Sequence, residues 1–150
     1  DAGIANGVKV ELFDVANITQ PRSLGVEVFG RAGSSSEATD DPHAVTFLSR
    51  EDTSLYRFAL PVTVYDTPHA TQPGVFRWTY SGIHLLEVDG RGSNTPQLKS
   101  AGVIKTAEPG AGQEFPPYFV PNRGVLHDES AFAIYGEAIT GRTWASAVSF

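Results

Sequence analysis

The sequence predicts an all-β domain, a two-sheet antiparallel sandwich of jelly-roll-like type with little or no helix. Three observations carry this. Short runs rich in β-branched and aromatic residues recur along the chain, and Gly, Pro, Asn, Asp and Ser punctuate them at intervals of about 8 to 12 residues. Within several of the runs apolar and polar residues alternate with the period of a strand that is wet on one face. Finally, no stretch of about ten residues keeps the i, i+3, i+4, i+7 apolar spacing between helix caps.

Taken in order, residues 1–7 are small and glycine-containing and read as an irregular lead-in. Residues 8–13 place Val8, Val10 and Leu12 on one side and Lys9 and Glu11 on the other, the pattern of a half-buried strand. Gln20-Pro21-Arg22-Ser23 breaks it. Residues 24–29 then resume the alternation, with Leu24, Val26 and Val28 opposed to Gly25 and Glu27. Residues 30–42 are polar and acid-rich and predict an exposed, mobile loop. A short strand is expected at 44–48.

Residues 55–65 form the longest β-rich run, with Tyr56, Phe58, Leu60, Val62 and Val64 in strict alternation. Pro61 cannot donate to a ladder, so this strand is expected at an edge, or bulged or split at that point. Residues 75–80 and 83–88 read as two strands separated by a Ser81-Gly82 turn, and 100–106 as a third. Asp89-Gly90 marks a tight turn, and Gly90-Arg91-Gly92 a flexible hairpin tip. Residues 107–130 form a long Pro- and Gly-rich excursion. A connection of that length in a compact domain is either functional or packed on a neighbouring surface. The last hairpin is expected to join 131–139 to 143–150 across Thr140-Gly141-Arg142, with Trp144, Ser146, Val148 and Phe150 on one face and Phe150 tied down.

Composition bounds the function. A chain of 150 residues buries roughly 70% of the surface it would expose unfolded, which suffices for one domain spanning 1–150. Apolar residues make up 41% and charged residues 19%, the balance of a folded globular chain and not of a disordered one. The formal charge of −6 and the scattered Lys and Arg argue against a nucleic-acid partner, whose phosphates demand clustered cations. Cysteine is absent, which removes disulfides and thiolate metal sites. No apolar run reaches the roughly 18 to 20 residues of a membrane-spanning helix. The chain has no methionine and begins with Asp1, so it is expected to be processed or part of something longer.

No reaction centre is legible. His43, His69, His84 and His127 lack the short spacings of a local chelate, so no metal is assigned. His84, between apolar neighbours, reads as a hydrogen-bonded structural histidine, and His127-Asp128-Glu129 as a solvated turn. Asp40-Asp41 and Glu51-Asp52 are dense in acid but fit no calcium loop. No G-x-S-x-G elbow is present, and no cofactor-binding loop. What stands out is a rigid aromatic surface in the long loop: Phe115, Pro116, Pro117, Tyr118 and Phe119. Prolines and rings offer contact area at low entropic cost, which suits docking on a partner subunit or a sugar and equally suits capping the domain's own core.

Residues 85–106, LLEVDGRGSNTPQLKSAGVIKT, and residues 131–144, AFAIYGEAITGRTW, resemble bacteriophage head-decoration and related virion surface proteins. In that group a strand ending in an acidic turn leads to an A-G-V/I strand. The resemblance covers about a third of the chain. It implies a β-rich subunit without enzymatic activity that reinforces a particle shell by contacts with copies of itself or with other shell or surface subunits. The corresponding location is a virion, the cell surface or the extracellular space. The alternative reading is a carbohydrate-binding or adhesion module of an exported protein, in which Trp78, Tyr80, Tyr118 or Trp144 would form a platform for a glycan.

Overall fold

The computed structural model describes residues 6–49, 55–90, 95–118 and 120–144. Nine antiparallel strands run through them: β1 (Asn6–Asp14), β2 (Arg22–Ala32), β3 (Thr46–Ser49), β4 (Tyr56–Pro68), β5 (Phe76–Asp89), β6 (Gln97–Ala107), β7 (Asn122–His127), β8 (Ser130–Tyr135) and β9 (Ala138–Thr143). Two 3-10 turns, Glu37–Thr39 and Pro42–Ala44, lie between β2 and β3. The strands form a β1-β2 ribbon, a four-stranded sheet in the order β3-β4-β5-β6, and a three-stranded sheet in the order β7-β8-β9. All-β architecture and antiparallel sandwich packing are therefore both present. The strands run as consecutive meanders, where a jelly roll would cross between sheets.

The central sheet is covered on both faces. On one, Ala59, Ile83, Leu85, Ala101 and Ile104 pack against Leu126, Ala131 and Ala133 of the β7-β8-β9 sheet and against Trp144. On the other, Leu60, Val62, Val64 and Leu86 pack against Phe29 of β2, with Val8 and Val10 of β1 alongside. The result is three layers, with the four-stranded sheet in the middle. This explains the unbroken burial from Ser81 to Leu86: a strand enclosed on both faces needs no polar alternation.

Several expectations change. Ser81-Gly82 is not a turn, because β5 runs unbroken from Phe76 to Asp89. Gly82 is instead a point of close approach, where a β-carbon would stand 2.8 Å from the carbonyl oxygen of Ile104. β4 is an interior strand, paired with β5 along its whole length, and its register shifts fall beyond Val64 and not at Pro61. Pro61 is tolerated because β3 pairs β4 only as far as Ala59. Past that point the flank of β4 is open until Ser35 bridges Thr63, and the Pro61 carbonyl accepts the Ser36 hydroxyl at 2.6 Å. The proline thus falls in a gap between partners.

The facing of β2 is inverted relative to its apolar pattern. Phe29 is in the core and Gly25 lies against Leu98, so Gly25, Glu27 and Phe29 look inward. Val26 and Val28 are 47% and 54% exposed on the outer face. The acid-rich segment 30–42 is not a free loop. It is pinned by the Ser35–Thr63 bridge and by Ser36, and its 3-10 turns are capped by Ser36 and Asp41 accepting from Ala38 and His43.

The long excursion is shorter than expected, since β7 lies within it. The last described hairpin turns between Tyr135 and Ala138, not at Thr140-Gly141-Arg142. The expectations for Glu51-Asp52, Arg91, Gly92, Phe119, Ser146, Val148 and Phe150 lie outside the described residues.

Candidate functional site

The aromatic segment borders a cleft of about 440 Å³ that opens where the central sheet meets β7 and β8. Its rim carries Pro116, Pro117, Tyr118, Val120 and Pro121, and its walls Glu37, Thr63, Ser81, Asn122, Arg123 and Tyr135. Phe115 and Tyr118 are 57% and 76% exposed. These two rings therefore do not cap the domain's own core. Pro116 is half-buried and Pro117 exposed.

Each wall residue is set by its element. Thr63 and Ser81 lie on β4 and β5, two residues beyond Pro61 and two before Ile83, and therefore share the face that meets β7. Their hydroxyls are 3.1 Å apart. Asn122 opens β7 and is 4% exposed. Its backbone N–H donates to Glu37 Oε1 at 3.1 Å, and its side-chain Nδ2 donates to the Gly82 carbonyl at 3.4 Å. Its Oδ1 meets no donor among the described residues. Arg123 pairs with Glu37, and with Asp41 at 2.9 Å. The backbone N–H and ring of His43 and the Arg123 guanidinium hold the Asp41 carboxyl below its ordinary range. Burial pushes the Tyr135 phenol up, so it stays neutral.

A second polar group is sealed between the layers. His84 is 5% exposed, its ring centroid 4.1 Å from that of Phe29 and its Nε2 3.2 Å from the Tyr80 hydroxyl. Burial lowers its pKa to about 4, so it is a neutral, hydrogen-bonded core histidine as its apolar setting implies. His43 and His127 are far from such a setting, with side chains 97% and 79% exposed. Among the described residues no three His, Asp or Glu side chains converge to hold a metal. Among the same described residues no helix is long and apolar enough to cross a membrane.

Trp78 and Trp144 are 2% and 7% exposed, so neither offers a ring face to a glycan. Of the rings suggested for a sugar platform, Tyr118 is the well-exposed one. Trp144 instead donates from Nε1 to Glu87 at 3.0 Å and lies under the Arg57 guanidinium. Sequence reasoning finds Pro116, Pro117 and Tyr118 through their composition. It misses Glu37, Thr63, Ser81, Asn122 and Arg123, which no local signal connects.

A family model described as a beta propeller domain matches residues 1–144. No curated protein and no solved structure matches the chain. The family is β-rich, as the virion resemblance also implied, but the match carries nothing specific to phage particles. A four-stranded antiparallel meander with another sheet against each face is the unit that such propellers repeat, and β3–β6 has that form. The family points to a protein-interaction module.

Proposed function

We propose that the chain, which belongs to the beta propeller domain family, is a non-enzymatic assembly module that works through contacts with copies of itself or with other shell or surface subunits. The observation that carries this is the character of the two outermost layers. On the β1-β2 ribbon, Val26 and Val28 point away from the core, 47% and 54% exposed. On the far side, Val125 and Ile139 are 38% and 71% exposed, and pairing places them on one face with Phe132 and Ile134.

Apolar residues grouped on the outer face of a sheet are what a further layer would cover. The exposed Phe115 and Tyr118 add anchors of the kind that dominate protein interfaces. A virion or cell-surface setting extends this reading through the resemblance of residues 85–106 and 131–144.

Sedimentation and cross-linking of the protein, alone and in its native extract, test the proposal. The expected result is an assembly burying more than about 1,000 Å² per contact, the size that separates specific interfaces from incidental ones. Val28→Glu should weaken it without altering the circular dichroism. A monomer at all accessible concentrations that captures no partner overturns the reading.

A further inference from the structure

We propose that the cleft under Pro116-Pro117-Tyr118 receives the cationic N–H-bearing head of a lysine or arginine side chain from a partner protein. The inference rests on the interaction reading above and names the chemistry that the cleft would take from such a partner.

Asn122 is 4% exposed, and its Oδ1 has no donor among the described residues. Exchanging the amide oxygen and nitrogen would not help, because Nδ2 already faces the Gly82 carbonyl and an oxygen there would be repelled. The unmet group is therefore an acceptor, and what completes it is a donor.

Arg123 on the wall is one cation held between two carboxylates, Glu37 on the same wall and Asp41 behind it, outside the lining, so the cluster at this wall sets one positive against two negative charges. An anionic ligand meets no free cation there, whereas a cation is attracted. The formal charge of −6 on the whole chain favours approach of a basic partner in the same sense.

Thr63 and Ser81 share one hydrogen between their hydroxyls and retain lone pairs for a second donor. Tyr118 and Tyr135 line the opening, and the face of a neutral phenol ring attracts a cation. A volume of about 440 Å³ admits a long side chain together with some of its backbone.

The test is an NMR titration of the full chain with the tripeptide acetyl-Gly-Arg-Gly-amide. Its isostere with citrulline in place of arginine and methyl glucoside serve as comparators. The expected result is saturable shifts at Asn122, Ser81 and Tyr135, with affinity falling about tenfold or more for citrulline. Asn122→Asp, which adds a carboxylate, should tighten binding, and Tyr118→Ala, at a position 76% exposed, should weaken it several-fold.

The proposal fails if no saturable shift appears by about 20 mM, a bound on useful weak affinity. It also fails if citrulline binds equally, or if methyl glucoside binds and the arginine peptide does not. Sedimentation of the same samples separates the two claims. Assembly without peptide binding sinks the cleft inference alone. Peptide binding by a chain that stays monomeric and partnerless sinks the interaction reading, and leaves the cleft as a site for small cations.

Discussion

Gly124 in β7 lies so close beneath Ala59 in β4 that a β-carbon on the glycine would stand 2.6 Å from that of the alanine, and 2.9 Å from Ile83 Cγ2. The separation of the central sheet from the β7-β8-β9 layer is set here by the smallest side chains available. Ala131 and Ala133, 0% and 1% exposed, keep β8 equally close. Gly124→Ala forces two tightly packed sheets apart. It should cost about 1 to 3 kcal/mol, the range for overpacking a well-filled core. Urea unfolding measures it, and an unchanged midpoint would show that the two layers can slide.

In β2, adjacent residues should give opposite answers. Phe29, 7% exposed and packed with its ring tilted against that of His84, should lose about 3 to 5 kcal/mol on change to alanine. Val28, 54% exposed, should change the stability of the isolated chain by no more than about 0.5 kcal/mol. The reverse order would mean that the ribbon pairs one residue out of register, since a single slip exchanges its two faces.

That pair also shows where the sequence stops being legible. Period-two alternation announces a strand, and all of the segments read as strands at 8–13, 24–29, 55–65 and 100–106 are strands. The pattern does not say which face is covered by the chain itself. In β2 the apolar set Val26 and Val28 faces out while Gly25, Glu27 and Phe29 face in, an arrangement that looks the same in sequence as its opposite. Pro61 misled for a related reason, because an interior strand can hold a proline wherever its neighbour stops short. The site was half legible. The rigid Pro116-Pro117-Tyr118 rim announces itself by residue type, but Glu37 reaches Arg123 across 86 positions, and only tertiary packing creates that pair.

His84 sets a window of acid sensitivity. Its pKa is held at about 4 by burial against about 6.5 in an unfolded chain. Between those values the unfolded state binds the extra proton, so stability falls as pH falls. Above about 6.5 the contribution of neutral His84 is complete, and below about 4 it is gone. The full difference is on the order of 3 kcal/mol. Glu11, Asp14 and Asp41, whose carboxyls are held below their ordinary range, act at lower pH and leave the upper part of the window, from about 6.5 to 5.5, to the imidazole. Thermal melts of the wild type should drop steeply across that range, and His84→Gln should flatten the drop. Parallel curves for the two proteins would remove His84 as the cause.

Arg57 ties the far end of the stack together. Its side chain is 8% exposed. It reaches Glu129 at 2.8 Å, the Asp128 carbonyl at 3.0 Å and Glu87 at 3.7 Å, with the Trp144 ring 4.6 Å from its guanidinium carbon. These contacts join β4 and β5 to the β7-β8 turn and to the residue that follows β9. Their worth is unequal. Glu129 is 60% exposed, so water replaces its partner readily, and Glu129→Gln should cost less than about 1 kcal/mol. Glu87 is only 21% exposed and also accepts from the Trp144 indole. Removing the guanidinium leaves that carboxylate poorly solvated and uncovers the ring. Arg57→Leu should therefore cost about 2 to 3 kcal/mol, below the range for a fully buried pair because one carboxylate keeps its water. Fluorescence reads the mechanism directly. Trp144 emission should shift to the red in Arg57→Leu, while Trp78, 2% exposed and untouched by the change, holds the blue component constant. A loss of stability without that shift would place the cost in the ion pairs alone and remove the cation over the indole from the account.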